Sequence, residues 1–171
     1  LLNNFIVRNN RSIWTVFIAL DKQIYTTFAP PAKPNMRYPL PMPKDLKLTI
    51  VQPNIIWESP LENFKLLNKQ LAKTGRGETD LIVLPEMFST GFSMNAKKLA
   101  EQMEGPSMQW MFETAQGLKA AVCGSVMIRE NGKFFNRFIW MEADGHYDHY
   151  DKRHLFQMAK EDKTYTAGTE G

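Results

Sequence analysis

Residues 81–92 read Leu-Ile-Val-Leu-Pro-Glu-Met-Phe-Ser-Thr-Gly-Phe. A short aliphatic run that stops at a proline leaves the backbone few options. It is too brief for a helix and reads as a strand buried on both faces. Pro85 has no N–H to give to a sheet ladder, so it marks the end of that strand. Glu86 is then expected at the carboxyl end of a central strand, where open α/β sheets gather their ligands. A carboxylate there would be partly desolvated and placed for proton transfer. Helix capping, or a salt bridge at the strand end, is the alternative the local pattern leaves open.

The segments around this strand supply a sheet for it. Leu46–Gln52 alternates and is β-branched, which predicts a strand closed by Pro53. Ser59-Pro60-Leu61-Glu62 carries the marks of a helix start, with Ser at the N-cap, Pro at the first position and Glu at the third. Leu61, Phe64, Leu67, Leu71 and Ala72 recur at helical spacing as one apolar stripe, and Gly75 and Gly77 are expected to end the helix. With the strand at 80–84 this makes a β-α-β unit with parallel strands. Pro106 opens a second helix with Trp110, Met111, Ala115 and Leu118 as its inner face. A third strand is predicted at Lys119–Ile128, a turn at Asn131-Gly132, a strand at Phe134–Met141, a turn at Asp144-Gly145 and a short strand at His146–Tyr150. The class is α/β, with two β-α-β steps handing over to a meander.

The stretch before the first strand has another character. Residues 29–43, Ala-Pro-Pro-Ala-Lys-Pro-Asn-Met-Arg-Tyr-Pro-Leu-Pro-Met-Pro, hold six of the chain's ten prolines and predict an extended linker. Residues 1–28 read as an extension, and residues 1–44 together are expected to be poorly ordered. The chain starts with Leu, and Met36 and Met42 are both candidate starts of the folded protein. Both ends look cut. The apolar run Ile13–Leu20 is well short of the roughly 18 residues that span a bilayer and lacks a secretory cleavage site.

Composition excludes several function classes. A net charge of +3 is spread over interspersed acidic and basic residues without a basic run, so nucleic acid is not an indicated partner. One cysteine in 171 residues excludes an internal disulfide and a Cys-x-x-Cys metal site, and it suits a reducing, cytoplasmic compartment. His146 and His149, three apart, would point to opposite faces of a strand. No third ligand completes a tetrahedral set, so no metal is assigned.

A second polar segment follows the last strand: Asp151-Lys152-Arg153-His154. If both strands share a sheet, Glu86 and Lys152 face one pocket. A carboxylate beside an ammonium supplies a proton acceptor and a fixed charge for an oxyanion; a surface salt bridge is the plainer reading. Cys123, in mid-strand, is a nucleophile only if a histidine and solvent reach it. Burial in the core, which raises a thiol's pKa and blocks access, is the preferred reading.

Four motifs, LPEMFSTGF (84–92), VCGSV (122–126), NRF (136–138) and YDKRHLF (150–156), occur in an order and strand context that resembles the nitrilase, or carbon–nitrogen hydrolase, superfamily, and its omega-amidase branch most. The resemblance covers residues 45–171. It implies the amino-terminal half of an αββα sandwich: a mixed sheet with two helices on one face. It also implies a Glu–Lys–Cys triad that hydrolyses small amides of the α-ketoglutaramate kind, without metal or organic cofactor. By position Glu86 resembles the base, Lys152 the oxyanion-holding lysine, and Glu161 the second glutamate that supports it. Phe92, Arg153 and His154 fall where substrate contacts are expected, Arg153 either toward a substrate carboxylate or into solvent, His154 bonded to the loop. The family's nucleophilic cysteine is expected beyond Gly171, so the chain alone is expected to be inactive. A non-catalytic module that binds a ligand or partner in the same cleft is the alternative. Members of the family commonly dimerise, and half a sandwich would leave an apolar face open to self-association.

Overall fold

The computed structural model describes residues 46–169. The extension, the proline-rich linker and both candidate start methionines lie outside the described residues. In chain order come β1 (Leu48–Ile50), α1 (Pro60–Leu71), β2 (Leu81–Val83), α2 (Ala96–Leu99), α3 (Pro106–Leu118), β3 (Ala121–Glu130), β4 (Lys133–Met141) and β5 (Tyr147–Asp151). Two 3-10 turns, Gln157–Ala159 and Glu161–Lys163, follow.

The strands form one sheet in the order β1-β2-β3-β4-β5. β1, β2 and β3 pair in parallel, with Leu48 beside Leu81 and Leu81 beside Ala121. The long β3–β4 hairpin and the β4–β5 pair are antiparallel. Asn131 and Gly132, both at positive φ (49° and 73°), make the tight turn that this hairpin requires. The sheet is therefore mixed, as expected, and both helical connections lie on one face of it. On that face Ile82, Val122, Val126, Ile128, Ile139 and Met141 pack with Phe64, Leu67 and Leu71 of α1 and with Met108, Trp110, Met111 and Ala115 of α3. Trp110 anchors the layer, stacked on Phe64 at 5.7 Å with its indole N–H donated to Asn68 Oδ1 at 2.9 Å.

Several expectations need correction. β1 and β2 are shorter than the apolar runs that announced them, because Val51 and Leu84 already leave the ladder geometry while still donating N–H groups to Val83 and Cys123. The buried face of α1 is Asn63, Phe64, Leu67 and Leu71; Leu61 is 70% exposed and Ala72 lies outside, so the stripe is narrower than its apolar spacing implied. Ser59 is the N-cap residue but its hydroxyl caps nothing, and Glu62 pairs with Lys65 instead. The helix stops at Leu71, ahead of Gly75 and Gly77. The four-residue α2 was not foreseen.

Candidate active site

What fixes Glu86 is the turn behind it. After β2 the chain bends over residues 86–90, with Met87 in the left-handed region at φ 48°. The Met87 N–H is donated to Ser125 Oγ at 2.9 Å, and the Phe88 N–H to Ser125 O at 3.3 Å. Leu84 and Phe88 press on β3 at Gly124, where a Cβ would stand 2.8 Å from Leu84 Cβ and 3.2 Å from Phe88 Cδ1. Glycine is thus required for close approach and serine for the hydrogen bond, which gives the Cys-Gly-Ser stretch of β3 a physical meaning. Met87 and Phe88 are fully buried, while Glu86 keeps 37% of its side chain exposed.

Lys152, the first residue after β5, meets it. Its Nζ lies 2.8 Å from Glu86 Oε1 and 2.9 Å from Glu161 Oε2, and 5.2 Å from the centre of the Phe92 ring. Glu161 is fully buried. Besides the lysine it accepts the Phe156 N–H at 2.6 Å and one hydrogen of Asn136 Nδ2 at 3.0 Å. Asn136 Nδ2 also reaches Glu86 Oε1 at 2.7 Å, and the Asn136 carbonyl accepts the Lys152 N–H at 2.9 Å. β2, β4 and the ends of β5 and the following 3-10 turn therefore converge on one lysine.

Burial pushes the Lys152 ammonium down, but hydrogen bonds and charge from Glu86 and Glu161 outweigh it, leaving the group above the ordinary lysine value. It stays a cation at any working pH. Tyr165 closes the rear of the loop, donating its hydroxyl to Ser93 O at 2.6 Å; burial first, then the charges of Glu161 and Glu86, push that hydroxyl up. Ser93 in turn donates to Glu58 at 2.6 Å, and Asn63 holds Ile56 and Ser89, so the loops before α1 and after β2 are tied together.

The other expected residues divide. Phe92 is half-buried against the lysine. Arg153 and His154 are exposed, and neither side chain bonds another described residue, so the loop hydrogen bond expected of His154 is not made. Cys123 is fully buried in β3, its thiol pushed up to about 12 by burial, away from nucleophilic use. Among the described residues no three His, Cys, Asp or Glu side chains gather as a metal site would need. Sequence reasoning missed Asn136 and Ser125, although both stand inside motifs it had singled out. The available signal was polarity out of place: an amide and a hydroxyl within apolar strands must find partners.

Residues 47–170 match the Carbon-nitrogen hydrolase family. The chain is 40% identical over 124 residues to omega-amidase YafV of Escherichia coli K12, covering 72% of this chain and 47% of that protein. It is 31% identical over 127 residues to the 2-oxoglutaramate amidase of Bacillus subtilis, covering 72% and 48%. A CN-hydrolase superfamily protein from Xanthomonas campestris, solved with an arsenic adduct in its active site, superposes with a TM-score of 0.71 at 40% identity over 74% of this chain and 48% of that one. Nit3 of Saccharomyces cerevisiae shares the fold, with a TM-score of 0.61 at 23% identity over 73% and 49%. The chain spans about half the length of the curated relatives it matches. With the mixed sheet, the strand-end glutamate and this match over most of its length, the chain belongs to the carbon–nitrogen hydrolase family.

Proposed function

We propose that this chain contributes the base and the oxyanion-holding cation of an omega-amidase-type hydrolase acting on small amides such as α-ketoglutaramate. The observation that carries the reading is one ammonium held 2.8 Å from a solvent-facing carboxylate, Glu86, and 2.9 Å from a buried one, Glu161. A structural ion pair needs no such third partner, and a charge fixed beside a reachable carboxylate is what acyl transfer uses. The names of the relatives at 40% and 31% identity support the amide class.

In this reading the nucleophile is a cysteine supplied by polypeptide outside these 171 residues, since Cys123 is buried and its thiol is pushed up. Glu86 takes the proton as the thiolate attacks the terminal amide carbon, and Lys152 with a backbone N–H holds the oxyanion. The C–N bond then breaks, and ammonia leaves with the proton returned by Glu86. Water, deprotonated by Glu86, hydrolyses the thioester and restores the thiol. Arg153, exposed and unengaged, is available to a substrate carboxylate, and Phe92 walls the lysine side. No cofactor enters the scheme, and a single free cysteine fits a cytoplasmic setting.

The test is ammonia release from α-ketoglutaramate by the intact polypeptide that contains this chain. Turnover is expected, with losses of about 10³-fold or more for Glu86→Gln and for Lys152→Met. The 171-residue chain alone is expected to release none. Turnover by that chain, lost on Cys123→Ala, would overturn the assignment of the nucleophile. The absence of an accessible thiol among the described residues also favours a second reading, a non-catalytic module that binds an amide in the same cleft. Binding of substrate by an intact polypeptide that never releases ammonia would select it.

A further inference from the structure

Asn136 is 2% exposed in the middle of β4, yet it touches every charged member of the site. The two hydrogens of its Nδ2 go to two carboxylates, Glu86 Oε1 at 2.7 Å and Glu161 Oε1 at 3.0 Å, and its carbonyl fixes the backbone of Lys152. Counting acceptors separates the two glutamates. Both oxygens of Glu161 are engaged: Oε1 by Asn136, Oε2 by Lys152 and the Phe156 N–H. On Glu86, Oε1 receives Lys152 and Asn136, whereas Oε2 has no partner among the described residues. Glu161 accepts three donors on its roughly four lone-pair sites and has no exposed surface, so a proton there would have to enter a nearly filled, closed shell. A proton on Glu86 Oε2 displaces nothing.

We propose that Asn136 is a positioning residue: it anchors Glu86 through Oε1, so that Oε2 alone takes up and returns the proton, and it spaces Glu86 from Glu161 around their shared lysine. The proposal deepens the amidase reading and rests on it for the meaning of the proton, but not for the geometry. The amide is suited to the task because it is neutral. It offers one donor to each of two like charges and so relieves their repulsion without adding charge that would compete with Lys152. Serine has one hydrogen and cannot bridge both carboxylates; aspartate has the shape of asparagine and none of its donors.

The experiment follows the protonation of Glu86 directly, by carbodiimide labelling of the 171-residue chain across pH with mass-spectrometric readout at Glu86 and at the exposed Glu62 as reference. Losing a hydrogen bond to a charged group is expected to move the Glu86 labelling midpoint up by about one pH unit in Asn136→Leu. A larger upward move is expected in Asn136→Asp, which adds a negative charge at nearly constant volume, and no move at Glu62. An unchanged Glu86 midpoint in the aspartate variant overturns the proposal. If either variant unfolds, the unmodified chain still decides. Both Asn136 side-chain N–H resonances should exchange slowly with solvent and shift together as Glu86 titrates, and an amide insensitive to that titration also overturns it. Neither measurement uses substrate. An intact polypeptide without amidase activity would therefore defeat the functional reading and leave Asn136 in place, whereas an unmoved midpoint removes Asn136 even from an active amidase.

Discussion

Glu161 carries a charge with no exposed surface, and three donors keep it there: Lys152, Asn136 and the Phe156 N–H. Removing the lysine leaves that carboxylate buried without its counter-charge, which is costlier than the pair itself is stabilising. Lys152→Met is therefore expected to destabilise the chain by on the order of 3 kcal/mol, and Lys152→Met with Glu161→Leu by less than the lysine change alone; urea unfolding measures both. The pH dependence has a definite sign. Lys152 is raised above its ordinary value of 10.5, so its contribution is fully present below that pH and is lost as pH climbs through the raised value of the folded state. The stability difference between the native chain and Lys152→Met should hold constant from neutral pH to about pH 10 and shrink above it. At this scale the sequence was most informative where a charge follows a strand: Glu86 and Lys152 stood out as candidates there, with a structural ion pair left open, whereas Glu161, which opens a 3-10 turn, was singled out only through the family resemblance. Asn136 was not, because an amide inside a strand carries no period and no charge, and its meaning depends on residues 50 and 25 positions away.

Elements position these residues through close contact, and Gly124 of β3 is the tightest case. A side chain there would collide with Leu84 Cβ, which sits near the backbone and cannot swing aside. Gly124→Val should cost about 1–3 kcal/mol by overpacking and displace the turn that presents Glu86. Gly117 in α3 is the contrast: nothing lies within 4 Å of an added Cβ, and its conformation is helical. Gly117→Ala should raise stability by up to about 1 kcal/mol, and thermal melting of the two variants should move in opposite directions. The same contrast explains what periodicity could and could not give. In helix α3 the expected inner face held at Trp110, Met111 and Ala115, which are apolar and buried, with Leu118 partly buried against the core, but it omitted Ser107 and Met108, which are buried too. In α1 the stripe misled at Leu61, which is apolar but 70% exposed, and missed Asn63, polar and fully buried because it bonds Ile56 and Ser89. Apolar spacing reports which residues can be buried, and hydrogen bonds to distant loops decide some of those that are.

Across the whole sheet, the two faces are unequal. One is covered by α1 and α3. By strand alternation and register the other carries Ile50, Val83 and Cys123 in one row and Ser125, Phe138 and Tyr150 in the next. Asn136 and Lys152 stand beyond that second row, so the candidate site and this face share a side of the sheet. The rim of the face is open: Ile50 is 65% and Tyr150 43% exposed, with Val83 and Phe138 half-buried between them. Exposed apolar side chains at the two edges of a sheet are places for association, and a net charge of +3 on 171 residues repels weakly. The 171-residue chain is therefore expected to self-associate at micromolar concentration, with a sedimentation coefficient that rises with loading. Ile50→Lys and Tyr150→Lys together should lower that dependence. Neither change removes a buried side chain, so the fold should persist, and circular dichroism checks that it does. A chain that sediments as a monodisperse monomer at all loadings would show that this face is not sticky. If association is found and the lysines abolish it, this face, on the same side of the sheet as Asn136 and Lys152, is the surface through which the chain associates.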